Sequence, residues 1–290
     1  MEIEVPQGQA SAPLAAFLTR ALPDVPAWAL KECLKRRDVK RLGVRLGAED
    51  AVSGGDLLRV YLPKAALKTS APQLDVVYED ARILLVNKPQ GLSVDADEGG
   101  GDTLLLRARR YLAAQGGDGA ALSLCHRLDN KTGGLLLLAK DVQTLEAAEE
   151  AFRLRTILKT YTCRVVGCPK PREAVLTAYL LKDAERARVR VVERPLPGAQ
   201  KIVTGYRVIE TEGGFSRLSV ELITGRTHQI RAHLAFIGCP IVGDDKYGLR
   251  EVNRSARVRG QQLWATRMEL HAGGALSYLD GRAFEVDAPF

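Results

Sequence analysis

No Cys-x-x-Cys pair occurs in this chain, and its five cysteines, Cys33, Cys125, Cys163, Cys168 and Cys239, form an odd, scattered set. Neither a disulfide framework nor a zinc cluster is signalled, and a reducing compartment fits best. A glycine-rich phosphate loop following a strand is also missing, which leaves nucleotide-cofactor chemistry without support. So is the G-x-S-x-G elbow that a serine hydrolase of the α/β type would carry. Of the four histidines, His228 and His233 share one predicted helix, but a spacing of five takes them off the one-turn stripe that a metal-binding pair occupies. No apolar run approaches the roughly 20 residues of a membrane helix. The start, MEIEVPQGQA, lacks the basic-then-apolar pattern of a secretory signal. The expectation is a soluble, cytoplasmic protein with no metal and no cofactor.

What the chain does have is size and positive charge. Its 290 residues, 46% hydrophobic, suffice for two packed domains, and 42 Lys plus Arg against 35 Asp plus Glu give a net charge of +7. That balance favours phosphate-rich partners. Part of the charge is concentrated: KECLKRRDVKRLGVR carries Lys31, Lys35, Arg36, Arg37, Lys40, Arg41 and Arg45 against only Glu32 and Asp38. A solvated helix face and a nucleic-acid contact both account for such a cluster.

Residues 1–63 read as a small α+β unit, with helical periodicity in PLAAFLTRAL and AWALKECLKRR followed by short β-like segments ending in DLLRVYLP. The small, polar KAALKTSAPQ, residues 64–73, reads as a linker, and a second domain is expected over 74–290. There LDVVYEDARILLVNKPQGLSV holds two strands, DTLLLRARRYLAAQ and DVQTLEAAEEAFRL read as helices capped by Asp102 and Asp141, and the pattern from Leu158 is largely antiparallel β. One helix interrupts it, THQIRAHLAFIG, with Thr227 as the expected N-cap and Gly238 at its end.

Polar groups gather at strand ends in CHRLDNKTGG, LKTYTCRV and ELITGRTHQIRAHL. The first leads Arg127, Leu128 and Asp129 through Gly133 and Gly134 into four consecutive leucines, so Asp129 is expected in the loop entering a strand covered on both faces. A carboxylate there needs compensation, and a turn cap or a pair with Arg127 would be the structural explanation. Taken alone, Arg226 and Arg231 of GRTHQIR read as surface charges.

In order, VNKPQGLSV, HRLDNKTGG, LKTYTCRV, ELITGRTHQIRAHL and PIVGDDKYG resemble the motifs of the RluA-type RNA pseudouridine synthases, and residues 1–63 resemble an S4-like RNA-binding module. The resemblance implies an α+β fold: a catalytic domain built on a mixed, mainly antiparallel sheet with flanking helices, preceded by the small S4-like domain. It implies isomerisation of specific uridines to pseudouridine in structured RNA, ribosomal or transfer, by a monomer without a cofactor. Asp129 matches the essential carboxylate. Tyr161 matches the tyrosine beside the uracil, Arg226 the basic partner that aims the carboxylate, Arg127 the arginine that holds the target nucleotide out of its stack, and Leu222 an apolar residue of the pocket floor. The basic residues Lys31, Lys35, Arg36, Arg37, Lys40 and Arg41 would contact RNA. The family usually has Ser where this chain has Gly133, Ala where it has Cys163, and LHA where it has Leu263-Trp264-Ala265. A non-catalytic RNA-binding or ribosome-assembly protein of the same fold is the alternative. A carboxylate-based glycosidase is a weaker one, lacking a persuasive second carboxylate.

Overall fold

The computed structural model describes the chain except for residues 23, 24, 26, 63–73, 96–101, 184–187, 257 and 259. The expected linker, 64–73, therefore lies outside the described residues. Two compact units are present, one made of residues 1–73 with 95–119 and the other of 74–94 with 120–290.

The first unit begins with strands β1 (Glu2–Glu4) and β2 (Ala12–Pro13), helices α1 (Leu14–Ala21) and α2 (Ala27–Lys35), and strands β3 (Val39–Arg41), β4 (Val44–Leu46), β5 (Ala51–Val52) and β6 (Leu57–Val60). Four of them form an antiparallel sheet in the order β1-β6-β3-β4, while β2 pairs with β5. In α1 the residues Leu14, Phe17 and Leu18 are buried, the i, i+3, i+4 stripe that the periodicity of PLAAFLTRAL predicts. They join Leu30, Val39, Leu46, Val52, Leu58 and Val60 in one core, so this unit has an apolar interior of its own.

Helix α3 (Leu104–Ala114) also groups with the first unit. Its N-cap is Thr103, which accepts from the Leu106 amide at 3.2 Å, rather than Asp102, whose carboxylate binds Arg107 instead at 2.5 Å. An aspartate one residue too early is drawn to the nearest guanidinium, and the shorter hydroxyl takes the cap.

The second unit is built on a sheet whose strands are β7 (Val76–Glu79), β8 (Ile83–Lys88), β9 (Ser123–Leu124), β10 (Gly133–Ala139), β11 (Ile157–Val166), β12 (Glu173–Asp183), β13 (Arg188–Val192), β14 (Gln200–Glu212), β15 (Phe215–Leu222), β16 (Leu263–Leu270) and β17 (Arg282–Glu285). The order is β13-β12-β14-β15-β11-β16-β10-β8-β7, with β17 paired to β16 and β9 to β10. All these pairings are antiparallel except β10 with β16, so the fold is the mixed, mainly antiparallel α+β expected. Helix α4 (Val142–Leu154), capped by Asp141 onto the Thr144 amide at 2.8 Å as predicted, covers the core around Leu135, Leu137, Ile157, Met268 and Leu270. Helix α5 (Gln229–Phe236) packs Ala232 against Leu180, Val191 and Ile202 of β12, β13 and β14, and α6 (Arg250–Ser255) follows it.

The leucine run is the spine of this unit. Every residue of β10 is buried, so alternate side chains enter the interior on both faces, as an uninterrupted apolar strand requires. Its two leading glycines have a specific cause. A Cβ on Gly133 would overlap the indole ring of Trp264, and one on Gly134, which sits at φ +111°, would overlap the backbone of Ala265. The close approach that the glycines permit is that of β16. Gly133 and Trp264 are also two of the places where the chain departs from the usual motifs, and the structure couples them: the indole fills the space that a serine at 133 would claim, and its Nε1 donates to Asn87 Oδ1 at 3.1 Å.

Gly133→Ser alone should therefore destabilise by about 1–3 kcal/mol through overpacking, and Trp264→His alone by about 2 kcal/mol or more through the void it leaves. Combined, they should recover about 0.5–3 kcal/mol relative to the sum, measured by denaturant titration. Strict additivity would show that the two departures are independent.

Candidate active site

Three strand ends and one helix converge where β10 begins. The loop before it, residues 125–132, is held by groups that the apolar pattern of VNKP gives no hint of. Lys88, the last residue of β8, is fully buried, and its ammonium donates to the carbonyl oxygens of Pro89 at 3.0 Å, Leu92 at 2.8 Å and Asn130 at 2.9 Å. Three carbonyls match the three N–H donors of an ammonium, so one side chain ties the turn after β8 to the loop that carries Asp129. Burial lowers the Lys88 pKa to about 8, and the charge of Asp129 acts against that fall. The loop is closed by Thr132 N–H donating to Asp129 O at 3.0 Å and Gly91 N–H to Asn130 O at 2.9 Å. His126 accepts the Leu137 amide on Nε2 at 3.1 Å, and burial pushes its pKa down to about 3, so it serves as a neutral acceptor.

On this loop Asp129 keeps about a quarter of its side chain exposed, 26%, and accepts from Arg231 Nη1 at 2.8 Å. The expected partner, Arg226, is elsewhere. It lies in the exposed turn before α5, where its backbone N–H donates to Gln229 Oε1 at 3.1 Å. Arg231 is inside α5, and that helix is buried from Gln229 to Leu234, so its guanidinium has no route to solvent and must be answered by carboxylates. The helix starts one residue later than expected as well, with His228 rather than Thr227 at the N-cap position, in a left-handed conformation.

Arg231 is answered twice. Its Nε and Nη2 form a two-point pair with Asp244 at 2.7 and 3.0 Å, and the third nitrogen is left for Asp129. Asp244 is 1% exposed and also accepts from the backbone N–H groups of Lys246 at 2.8 Å and Tyr247 at 2.9 Å. Burial opposes its charge, but the hydrogen bonds and charge of Arg231, with those two N–H groups, hold its pKa below the ordinary carboxylate value. Asp245 stands 3.7 Å from Arg231 and pairs with Lys131 at 2.8 Å.

Two aromatic groups complete the site. Tyr161 on β11 is 5% exposed, and burial together with the Asp129 charge raises its pKa, so its hydroxyl stays protonated beside the carboxylate. Lys159 shares its strand face, and burial lowers the pKa of that ammonium to about 8. Tyr247 accepts the Val189 amide at 2.9 Å and meets His228 Nδ1 at 3.0 Å, while His228 Nε2 is 3.8 Å from Asp129. The two histidines of α5's motif thus hold separate partners, since His233 Nδ1 is 3.0 Å from Thr204 Oγ1.

Asp129 and Tyr161 are therefore brought together. Arg127 is exposed on the same loop, and Leu222 closes β15, half-buried. In the basic run, Arg36 pairs with Glu32 at 2.6 Å and Arg41 with Asp56 at 2.8 Å, while Lys40 stands 5.5 Å over the Tyr61 ring. Lys31, Lys35 and Arg37 are exposed. Lys88, Arg231, Asp244 and Tyr247 were not among the expected site residues. The tandem Asp244-Asp245 directly after the apolar PIVG was the available signal for Arg231, because a carboxylate entering a core requires a cation.

Residues 82–236 match the family model described as RNA pseudouridylate synthase. Ribosomal large subunit pseudouridine synthase C of Vibrio vulnificus is 32% identical over 282 residues, covering 93% of this chain and 86% of that one. The protein of the same name from Escherichia coli K12 is 32% identical over 287 residues, covering 94% and 88%. Among solved structures, Human RNA Pseudouridylate Synthase Domain Containing 4 superposes with a TM-score of 0.61 at 27% identity, covering 74% of this chain and 88% of that one.

The buried pair gives the site a measurable signature. A carboxyl whose folded pKa is depressed contributes stability above its unfolded pKa, and that contribution is lost as pH falls through the folded value. Asp244→Asn should cost about 3–5 kcal/mol near neutral pH by leaving Arg231 under-compensated. The gap from wild type should narrow below about pH 4, followed by thermal unfolding from pH 7 to pH 2. A gap that is constant over that range would mean that the Asp244 charge is not what holds the pair.

Proposed function

The chain belongs to the RNA pseudouridylate synthase family, and from that membership we propose that it converts uridine to pseudouridine in ribosomal RNA with Asp129 as the acting carboxylate. In the isomerisation the N1–C1′ bond of the nucleotide breaks, a C5–C1′ bond forms, the C5 proton departs and N1 takes up a proton, so no electrons are exchanged and no group is added. A carboxylate suits this chemistry because it acts as nucleophile or base at a ribosyl centre. The single observation that carries the proposal is the half-open Asp129 carboxylate aimed by the buried Arg231, with Tyr161 alongside.

Each neighbour has a stated part in this reading. Arg231 supplies a charged donor to one carboxylate oxygen, Oδ2, which leaves Oδ1 for the substrate. Tyr161 offers a ring face for the uracil and a neutral hydroxyl near the sugar. Arg127, exposed two residues before Asp129, is placed to hold the extruded nucleotide by its phosphate, and Leu222 is assigned to the pocket floor. Arg226, exposed at the helix entry, becomes a phosphate contact rather than a partner of Asp129. Residues 1–63 are assigned as an S4-like docking module that selects the RNA, with the exposed Lys31 and Lys35 one turn apart on α2 as its contacts.

Asp129→Asn should reduce single-turnover pseudouridine formation in a ribosomal RNA transcript below about one percent of wild type while leaving affinity for that RNA within a few fold. Activity above that level would remove Asp129 from the chemistry. Arg226→Ala should weaken RNA binding and leave the saturated single-turnover rate unchanged; a slowed saturated rate would return Arg226 to the reacting centre.

In the N-terminal unit, Lys31→Ala with Lys35→Ala should lower the slope of log affinity against log salt by up to about 0.9 per lost contact. Superimposable salt curves for variant and wild type would make this helix face a solvated surface only.

A further inference from the structure

Lys159 carries an ammonium that the fold holds in place and does not answer. It stands on β11 two residues before Tyr161, on the same strand face. The β11–β15 register sets Thr160 opposite Glu221 and Tyr161 opposite Val220, so Leu222 lies across from Lys159 at the end of β15. The side chain is half-buried, and burial lowers its pKa with no carboxylate acting against the fall, as Asp129 does for Lys88. Among the described residues the ammonium makes no hydrogen bond and no ion pair. What it meets is the ring of Phe152, with the centroid 4.9 Å away. His126 packs on that ring at 4.8 Å and feels the Lys159 charge, but its Nε2 already accepts from the Leu137 amide.

A cation that gives up water and gains no anion weakens the folded state, so packing does not account for it. Functional sites are where such a cost is kept. The surroundings of the ammonium belong to the site. His126 is on the loop that carries Asp129, and Gly225 is in the turn that leads to α5 and Arg231. A Cβ at Gly225 would lie 3.7 Å from Lys159 Nζ, with no other group so near. Gly225 is outside the left-handed region, so its backbone does not demand glycine. It is also exposed, and its missing side chain leaves an open approach to the ammonium.

The isomerisation supplies the missing anion. When the N1–C1′ bond breaks, its electron pair stays with the uracil, and the charge spreads over N1 and the carbonyl oxygens, while Asp129 acts on the sugar. The pair is used when C5 bonds to C1′; the C5 proton then leaves and N1 takes up a proton. Negative charge therefore exists on the base only between the two bond changes.

We propose that Lys159 is a catalytic residue of this reaction: its ammonium, approached past Gly225, donates to a carbonyl oxygen of the uracil and answers the charge that develops there when the base is detached. The inference rests on the reading that Asp129 isomerises uridine. Positions two apart on a strand are separated by about 7 Å, so a base lying on Tyr161 is within reach of the four-carbon side chain of Lys159. A donor fixed where charge develops, and partly shielded from water, is worth more to the detached base than to the intact nucleotide. Lys159 keeps its proton throughout, and the proton that N1 gains balances the one that C5 loses.

The test uses the full chain and a ribosomal RNA transcript under single-turnover conditions. Lys159→Met keeps the length of the side chain and removes the charge. It should lower the saturated rate of pseudouridine formation about a hundredfold or more, the effect of losing one donor at a developing charge. RNA affinity should stay within a few fold of wild type, with the same slope of log affinity against log salt, and the variant should unfold at or above the wild-type temperature. Lys159→Arg, which keeps a cation, should retain about tenfold or more of the rate lost in Lys159→Met. Gly225→Ala should slow the saturated rate without removing the charge, because its methyl group narrows the approach. Weaker binding and a lower salt slope at an unchanged saturated rate would make Lys159 a phosphate contact and overturn the assignment. Equal rates for the Arg and Met variants, or a clearly lower unfolding temperature for Lys159→Met, would overturn it as well. A wild type that forms no pseudouridine would remove this inference together with the isomerase reading, whereas an active wild type and an equally active Lys159→Met would remove this inference alone.

Discussion

Arg231 is the constraint on which the site depends. One guanidinium, 4% exposed, is gripped on two nitrogens by Asp244 and gives its third to Asp129. A buried arginine is tolerable only with its charge and its donors answered, and the two-point pair with Asp244 supplies a rigid anchor. Because the anchor cannot rotate, the remaining nitrogen has one direction, and that direction sets where the Asp129 carboxylate points. The chain of support continues outward: two backbone N–H groups hold Asp244, and Asn253 fastens the same turn to α6.

A second support comes from the opposite side of the loop. Lys88 joins three carbonyls across the end of β8 and the Asp129 loop, and Gly133 and Gly134 let β16 lie directly against the first residues of β10. The loop thus has a fixed floor, and Asp129 is held from both backbone and side chain. Support from both directions is what holds a side chain in one orientation. Burial and pairing also limit charge around the loop. His126 is kept neutral by burial, Tyr161 keeps its proton, and the charges of Asp244 and Arg231 cancel locally.

Much of this is legible in the sequence. The unbroken leucines after Gly134 announce a strand buried on both faces, and the antiparallel pattern after Leu158 announces the sheet. Motif order singles out Asp129 and Tyr161, and the structure places the two side by side. What failed was the choice between two arginines in GRTHQIR. The resemblance assigns that part to Arg226, whereas the deciding fact is that α5 is buried along nearly its whole length, a property of packing against β12, β13 and β14 that local periodicity does not reveal. Lys88 escaped for a related reason: a lysine at a strand end is normally solvated, and its three acceptors come from segments up to 42 residues away. The caps of α3 and α5 were each missed by one residue, because Asp102 prefers Arg107 and the chain enters α5 through a left-handed His228. The coupling of Gly133 with Trp264 was visible as two separate departures and became one only when the strands were placed side by side.

The claim that Arg231 aims Asp129 is tested most directly by the saturated single-turnover rate of pseudouridine formation in ribosomal RNA for Arg231→Lys, with folding confirmed by thermal unfolding. A lysine keeps the positive charge but cannot hold Asp244 at two points and Asp129 at a third. The account predicts a fall of about a hundredfold or more at unchanged RNA affinity, the cost expected of a misaimed reacting group. A rate within a few fold of wild type in the folded variant would show that charge alone suffices and that the three-point geometry of Arg231 is not what directs the carboxylate.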